Sequence, residues 1–230
     1  MPTLGEQADA YRSSRARIAA LTASLDDAGL ARTVPCCPRW SVKDLVAHLA
    51  GLLEDRRDGR LPAGGFDAWT ERQVERYRDQ PIGSILDTWT STTLAVDDAP
   101  PSLGALSLDV VTHEHDVCQA VGVQGDRASM SVHVGAARAL ERMVALLADS
   151  SAPGVSVTTE SGTVLASGGA PAITLAATDY EVMRLVTGRY SRAQALGLAW
   201  GGDPSETLDV LFADGFFSLQ PQDVIETATR

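Results

Sequence analysis

The chain contains 230 residues, of which 44% are hydrophobic and 21% are charged. These values are typical of a folded globular protein and argue against a disordered chain. The formal net charge of −11 argues against nucleic acid or an anionic membrane as the main partner. The sequence has no apolar run near the ~20 residues of a membrane span and no apolar stretch of a signal peptide, so we expect a cytoplasmic protein.

Three cysteines, Cys36, Cys37 and Cys118, make a poor disulfide framework because their number is odd and two of them are adjacent. A reducing compartment therefore fits best. The Cys-Cys-Pro loop has two interpretations, a reactive thiol site or buried thiols without reactivity. Buried inert thiols are the commoner arrangement, and nothing in the sequence indicates the lowered pKa that a reactive thiol needs.

Residues 1–150 have the pattern of a helical domain. Ile18, Leu21 and Leu25 recur at i, i+3 and i+7 and mark the buried stripe of a first helix. Two prolines disfavour a helix over the following segment, ARTVPCCPRW, and Ser41 with Asp44 forms a capping box that starts the next helix. Further helices are predicted within about 69–97 with a break near Pro81, from Leu103 to about Val121, and from Ser129 to Leu147. This pattern predicts an antiparallel four-helix bundle with extra segments.

After residue 150 the period changes from helical to alternating. Val155, Val157 and Thr159 alternate with polar residues, and a Gly-containing turn then leads into a return strand, which predicts a hairpin. A third strand is predicted near 172–176, a helix from a second capping box at Thr178, a strand in ALGLAW, and a last helix near 205–213. We therefore expect a two-domain α+β protein, with the helical bundle over 1–150 and a small α+β domain over 151–230.

Asp109 and His113 lie four residues apart on one predicted helix, and His48 lies in the middle of another. Side chains at i and i+4 project from the same helical face, so Asp109 and His113 could bind one ion, with His48 reaching it from a neighbouring helix. Three ligands of histidine and carboxylate type leave a coordination position open, as in catalytic zinc sites. The alternative is that the Asp-x-x-x-His spacing arose by chance.

The remaining polar residues of the segment DVVTHEHD have other expected roles. His115 lies about 200° around the helix from His113, so both rings cannot bind one ion. We expect Glu114 and His115 to be structural or to orient other groups, and Asp116 either to orient a metal ligand or to pair with an arginine. His133, alone near a helix start, is expected to be a surface or capping residue.

Three arginines, at positions 184, 189 and 192, occur in and after the predicted helix that starts at Thr178. Guanidinium groups bind carboxylates through two parallel hydrogen bonds, so this cluster could bind an acidic substrate. A salt bridge to the acidic helical bundle explains the same spacing equally well.

Three segments of the sequence resemble the mycothiol-dependent maleylpyruvate isomerase family. The first is VPCCPRWSVKDLVAHLAG, in which a Cys-Pro-x-Trp-Ser-Val loop leads into the helix that carries His48. The second is DVVTHEHD, with Asp109, His113 and Asp116, and the third is RLVTGR, which ends in Arg189. The segments occur in the family's order and extend over nearly the whole chain. The resemblance implies a DinB-like metal-binding bundle followed by a small domain similar to sterol carrier proteins.

The resemblance also implies a function. Zinc, or another divalent metal, would be held by His48, Asp109 and His113, mycothiol would be the thiol cosubstrate, and Arg189 would hold a substrate carboxylate. The expected activity is that of a thiol S-transferase or a cis-trans isomerase acting on a small electrophile. Two features depart from the isomerase, which has glutamate where this chain has Asp109 and a shorter segment after Arg189.

Two other functions compete with this one. The first is a non-catalytic protein that keeps the bundle fold and binds a small ligand, and the second is a metal hydrolase that uses water and no thiol. In each case we expect a monomer or a homodimer whose partners are small molecules.

Overall fold

The computed structural model describes residues 1–60, 65–92, 103–148, 150–166 and 171–225. The chain folds into an N-terminal unit, Thr3–Gly125, and a C-terminal unit made mainly of Asp126–Ile225. Among the helices of the described ranges, none has the length and apolar content needed to cross a membrane.

The N-terminal unit is a bundle of helices with one small two-stranded sheet. Helices α1 and α6 pack against each other, and α3 packs against α4, α5 and α6. The predicted break near Pro81 is confirmed, because it separates α4 from α5; the last residues of that predicted stretch, 93–97, lie outside the described residues. The elements are α1 (Leu4–Ala23), α2 (Asp27–Leu30), β1 (Thr33–Val34), β2 (Cys37–Ser41), α3 (Val42–Arg57), α4 (Phe66–Tyr77), α5 (Ile82–Ser91) and α6 (Leu103–Val121).

The capping box predicted at Ser41 and Asp44 is confirmed. The Ser41 hydroxyl accepts a hydrogen bond from the Asp44 amide at 3.1 Å, and the Asp44 carboxylate accepts one from the Ser41 amide at 2.9 Å. These two bonds satisfy amide groups that the first turn of a helix leaves without partners. They fix the start of α3, and His48 consequently lies about 1.7 turns further along, on the buried side of the helix.

The segment before α3, predicted as an irregular loop, forms a short antiparallel ribbon of β1 and β2. Thr33 pairs with Ser41, Val34 pairs with Cys37, and the register is irregular between the two pairs. A proline is compatible with such a ribbon because an edge strand leaves one row of amides without strand partners. The ribbon places Trp40 directly before α3.

Helices α3 and α4 approach each other closely at Gly51. A Cβ atom built on Gly51 would lie 2.7 Å from the Cβ of Gln73 and 3.1 Å from its Cα. Atoms cannot share that space without a shift of the helix backbones, so the absence of a side chain at Gly51 sets the α3–α4 spacing.

The C-terminal unit combines a four-stranded sheet with helices. Its strand order is β4-β3-β5-β6, in which β3 pairs antiparallel with β4 and parallel with β5, and β6 is antiparallel to β5. The predicted hairpin, third strand and Thr178 capping box are confirmed. The elements are α7 (Met130–Ala148), β3 (Val155–Thr159), β4 (Gly162–Ala166), β5 (Ile173–Ala176), α8 (Asp179–Val186), α9 (Arg192–Leu196), β6 (Ala199–Gly201) and α10 (Ser205–Leu211).

Helix α7 belongs to the C-terminal unit, where it packs against α8, β4 and α10. The sequence pattern assigned this helix to the bundle. Its apolar stripe shows that one face is buried, but it does not identify the element that packs against that face. The two-domain α+β class is confirmed. The domain boundary after residue 150 stays a prediction. In the structure, the two compact units meet along the chain between Gly125 and Asp126.

We predict that Gly51→Ala destabilises the protein by about 1–3 kcal/mol, because the added methyl overlaps Gln73 and the α3–α4 interface is overpacked. Urea denaturation monitored by circular dichroism measures the change. Gly83→Ala is the matched control, since a Cβ at Gly83 on α5 meets open space and alanine favours the helix. Equal stability of the Gly51 variant and the wild type would contradict the close packing at this point.

Candidate metal centre

The structure brings His48, Asp109 and His113 together inside the N-terminal unit. Helix α3 supplies His48, and α6 supplies Asp109 and His113 from one face through their i, i+4 spacing. The two histidines are 2% and 4% exposed, whereas the Asp109 side chain is 27% exposed. One oxygen or nitrogen atom of each residue lies within 4.8 Å of those of the other two.

The separations between these atoms fit a shared ion better than direct hydrogen bonds. Asp109 Oδ2 lies 3.6 Å from His48 Nε2, and Asp109 Oδ1 lies 3.5 Å from His113 Nε2. Both distances exceed the range of an N–H···O bond, ~2.7–3.2 Å. Around a tetrahedral zinc with bonds of about 2.0–2.1 Å, neighbouring ligand atoms lie about 3.3–3.4 Å apart. The donor types and their spacing therefore fit a zinc ion.

Asp116 orients the His113 ring. Its Oδ2 lies 3.0 Å from His113 Nδ1, and Asp116 is completely buried. When ionised, the Asp116 carboxylate only accepts hydrogen bonds, and Nδ1 then carries the proton while Nε2 faces Asp109. Of the two roles that the sequence left open for Asp116, this contact is the orientation of a ligand.

Gln73 and Asp55 lie behind His48, and neither was identified from the sequence. Gln73 Oε1 is 2.8 Å from His48 Nδ1, and Gln73 Nε2 donates to Asp55 Oδ2 at 2.9 Å. Both residues are buried. A signal for Asp55 was present, because an acid seven residues after His48 shares its helical face. No pattern in the sequence pointed to Gln73.

The indole of Trp40 covers one side of the ligand cluster. Its ring centroid lies 4.8 Å from that of His48 and 6.5 Å from that of His113. The Trp40 Nε1–H is buried and has no hydrogen-bond acceptor among the described residues. This aromatic wall reduces the access of water to the two imidazoles from that side.

The three cysteines have different surroundings. Burial, with a smaller contribution from Glu114, raises the pKa of the Cys118 thiol to about 11. Cys36 is buried, with its Sγ 3.5 Å from Gln119 Oε1. Cys37 is half-buried and lies near His113 and Asp116, where atoms of the three residues fall within 4.8 Å. Cys118 is therefore a buried thiol of low reactivity, whereas the two interpretations of the Cys36–Cys37 loop both stay predictions.

Glu114 and His115 point away from the ligand cluster. Glu114 receives two hydrogen bonds from Arg17, at 2.6 and 2.8 Å, which tie α6 to α1. The buried His115 ring packs next to Gly125, where an added Cβ would lie 2.6 Å from Nδ1. Within the described ranges, only His113 and Asp116 of the HEHD segment belong to groups of metal-ligand type.

A second histidine cluster lies in the C-terminal unit and has a different character. His133, Glu160 and Asp179 are close enough to bind an ion, but His133 Nδ1 and Asp179 Oδ2 are already in direct hydrogen-bond contact. The Ser161 hydroxyl donates to the same carboxylate at 2.5 Å. The side chains of this cluster are therefore bonded directly to one another, and they connect α7, the β3–β4 turn and the start of α8.

Arg189 follows the end of α8 and is 7% exposed. Its Nη1 donates to the Thr187 carbonyl at 2.6 Å, and its guanidinium lies 5.9 Å from the centre of the Phe217 ring. Gly188 has a φ of +71°, and a side chain there would collide with the Ser218 carbonyl. Arg192, by contrast, is exposed and pairs with Asp209 at 2.8 Å. Arg189 and Arg192 thus have distinct environments.

Residues 11–105 match the family model of the mycothiol maleylpyruvate isomerase N-terminal domain. The resemblance to this family is confirmed. The matched segment contains His48 and Gln73, while Asp109 and His113 follow it. A search of curated proteins finds no match.

Two crystal structures of the mycothiol-dependent maleylpyruvate isomerase are similar to this chain. One is a histidine-to-alanine mutant, with a TM-score of 0.55 and 13% identity over 82% of this chain and 90% of that one. The other has a TM-score of 0.53 and 12% identity over the same shares of the two chains. At this identity the likeness concerns the fold, and the chemistry rests on the residues of this chain.

We predict that zinc stabilises the metal-free protein through His48 and His113. At a zinc concentration of about 100 times Kd, binding adds about 2.7 kcal/mol, which raises the melting temperature by about 5–10 °C. Differential scanning fluorimetry measures the shift. Magnesium, which prefers six oxygen ligands, is the control ion.

The double variant His48→Ala/His113→Ala should lose the zinc-dependent shift, while His133→Ala, which removes a histidine of the other unit, should retain it. A shift of equal size in all three proteins would contradict binding at the candidate centre.

Proposed function

We propose that the protein is a divalent-metal-dependent, mycothiol-using enzyme, a thiol S-transferase or a cis-trans isomerase of the maleylpyruvate isomerase type. The observation that carries this proposal is the convergence of two imidazole Nε2 atoms on one carboxylate, at 3.5 and 3.6 Å. His48, Asp109 and His113 would hold zinc or another divalent metal. The substrate would be a small electrophile, and we expect it to bear a carboxylate.

The ligand set supports a catalytic role over a structural one. Three protein ligands leave one position of a tetrahedron for a substrate atom, whereas structural zinc sites fill all four. Asp109 is the most exposed of the three residues, with 27% of its side chain exposed, so a substrate atom would approach the centre from its side. When bound, a divalent metal lowers the pKa of a coordinated thiol and makes the thiolate available at neutral pH.

The residues of this chain position and shield the reacting groups. Asp116 and Gln73 fix the directions of the two imidazoles, and the Trp40 ring covers one side of them. Rigid placement of this kind removes the entropy loss that free reactants would suffer in reaching the same geometry.

The proposed isomerisation needs no oxidant or reductant. The mycothiol thiolate adds to one carbon of an electrophilic double bond, a C–S bond forms, and the π electrons move towards the substrate carbonyl. The former double bond is then a single bond, about which the substrate rotates. Expulsion of the same thiolate restores the double bond in the other geometry. In an S-transferase the adduct instead takes up a proton and leaves.

In the C-terminal unit we propose Arg189 as the residue that binds the substrate carboxylate. Guanidinium groups bind carboxylates through two parallel hydrogen bonds. The buried setting of Arg189, against Thr187 and Phe217, limits the competition of water for those bonds.

The metal assignment is tested by elemental analysis of protein purified without a metal-affinity tag. We expect one divalent ion per chain, and we expect His48→Ala and His113→Ala each to lose it together with mycothiol consumption in the presence of an electrophile panel. His133→Ala is the control. Full metal content in both site variants would refute the assignment.

The same assays separate the competing functions. Turnover with water alone, without mycothiol, would indicate a metal hydrolase. Stoichiometric binding of a small ligand that a chelator leaves unchanged, with no turnover of any electrophile, would indicate a binding protein.

We predict that Arg189→Gln raises KM for a carboxylate-bearing electrophile about 10- to 100-fold, because charged hydrogen bonds of about 1.5–3 kcal/mol are lost. Steady-state kinetics measures the change. Arg192→Gln, at the exposed pair with Asp209, is the matched control and should behave as wild type. The corresponding ester substrate should respond equally little to both variants. An unchanged KM for the acid in Arg189→Gln would remove this residue from the substrate site.

A further inference from the structure

We infer that Gln73, oriented by Asp55, is a positioning residue that holds His48 in the tautomer with the proton on Nδ1, so that Nε2 faces the metal position. This inference rests on the proposed metal site for its role in catalysis. The tautomer itself follows from contacts inside the N-terminal unit.

The chain of contacts begins at the Asp55 carboxylate. Its Oδ1 accepts hydrogen bonds from Arg60 Nε at 2.6 Å and from Arg76 Nη2 at 2.7 Å, and its Oδ2 accepts from Gln73 Nε2 at 2.9 Å. Burial tends to raise the pKa of Asp55, but the bonds from Gln73, Arg60 and Arg76 outweigh that effect and hold the pKa below its ordinary value. Asp55 is therefore an ionised group that only accepts hydrogen bonds.

The direction of the Gln73 amide follows from this charge. A carboxylate cannot donate, so Gln73 must present its NH₂ group to Asp55 and its carbonyl oxygen to the opposite side. That oxygen lies 2.8 Å from His48 Nδ1. Two acceptors do not attract each other, so Nδ1 must carry a proton. In the neutral ring the lone pair is then on Nε2, the atom that lies 3.6 Å from Asp109.

The packing leaves Gln73 little freedom to choose another arrangement. The side chain is completely buried, and the absence of a side chain at Gly51 brings the α4 backbone close enough for the Gln73 amide to reach between two α3 side chains. Asp55 and His48 are seven residues apart on one helical face, and Gln73 bridges them from the facing helix. The amide therefore connects the two α3 side chains at fixed distances.

The two imidazoles of the centre are thus oriented by different means. His113 contacts the Asp116 carboxylate directly. His48 instead contacts the neutral amide of Gln73, and the orientation of that amide is set by the Asp55 carboxylate behind it. Partners of this kind typically change metal affinity by about 10–100-fold when they are removed.

Gln73→Met tests the inference, because methionine preserves the volume and removes both hydrogen bonds. In metal-free protein labelled with ¹⁵N-histidine, long-range ¹H–¹⁵N spectra identify which ring nitrogen carries the proton, and His48→Ala assigns the His48 signal among the four histidines. We expect the Nδ1–H form of His48 in the wild type and its loss in Gln73→Met. Chelator competition should show zinc affinity falling about 10–100-fold.

The double variant Asp55→Asn/Gln73→Glu exchanges the carboxylate and the amide along the same chain of contacts. The carboxylate introduced on α4 would accept one hydrogen bond from His48 Nδ1 and another from the amide introduced on α3, while the net charge is unchanged. We therefore expect this variant to restore the Nδ1–H tautomer and to return zinc affinity to within about 10-fold of wild type. Rescue distinguishes hydrogen-bond direction from mere filling of space, and it remains measurable if Gln73→Met does not fold.

Thr70→Val is the matched control on α4. Thr70 is buried and its hydroxyl donates within its own helix, to the Asp67 carbonyl at 3.0 Å. It should leave the tautomer and the affinity unchanged. Retention of the Nδ1–H form in Gln73→Met, or failure of the double variant to restore it, would overturn the inference. A wild type that shows this tautomer yet takes up no zinc would refute the proposed function and support the action of Gln73 on His48.

Discussion

A buried imidazole must find partners for both of its ring nitrogens, and this requirement organises the N-terminal unit. In His48 and His113 the Nδ1 atoms are engaged from behind, by Gln73 and Asp116, so the Nε2 atoms face the one carboxylate between them. The packing of α3 against α4 and α6 makes both arrangements possible. Without those rear contacts, each ring could rotate and bond elsewhere, and the convergence on Asp109 would be lost.

The part of the site that lies on one helix could be predicted from the sequence. The pitch of an α-helix fixes the relation of Asp109 to His113, and it also separates His115 from them, as the structure shows. The contribution of His48 depends on the packing of two helices distant in sequence. Its residue type and helical position made it a candidate, and the family resemblance strengthened that hypothesis. Neither helical periodicity nor the family resemblance predicted Gln73, because its position depends on the short distance between α4 and Gly51.

The fold shows the same division between local and tertiary information. Capping boxes at Ser41 and Thr178 marked helix starts correctly, since their hydrogen bonds are formed within four residues. The apolar stripe of α7 indicated a buried face, yet hydrophobic periodicity does not identify the surface that covers it, and the helix packs against α8 and the sheet. The β1–β2 ribbon was missed because its two prolines are stronger signals for a loop than its short strands are for a sheet.

The high pKa of Cys118 has a consequence for the reactivity of this thiol towards electrophiles. Alkylation requires a thiolate, and a thiol with a pKa of about 11 is almost entirely protonated at neutral pH. The same burial that raises the pKa also keeps bulky reagents away from the sulfur. This cysteine thus lies on the helix that carries two of the three candidate ligands and is nevertheless protected from alkylation.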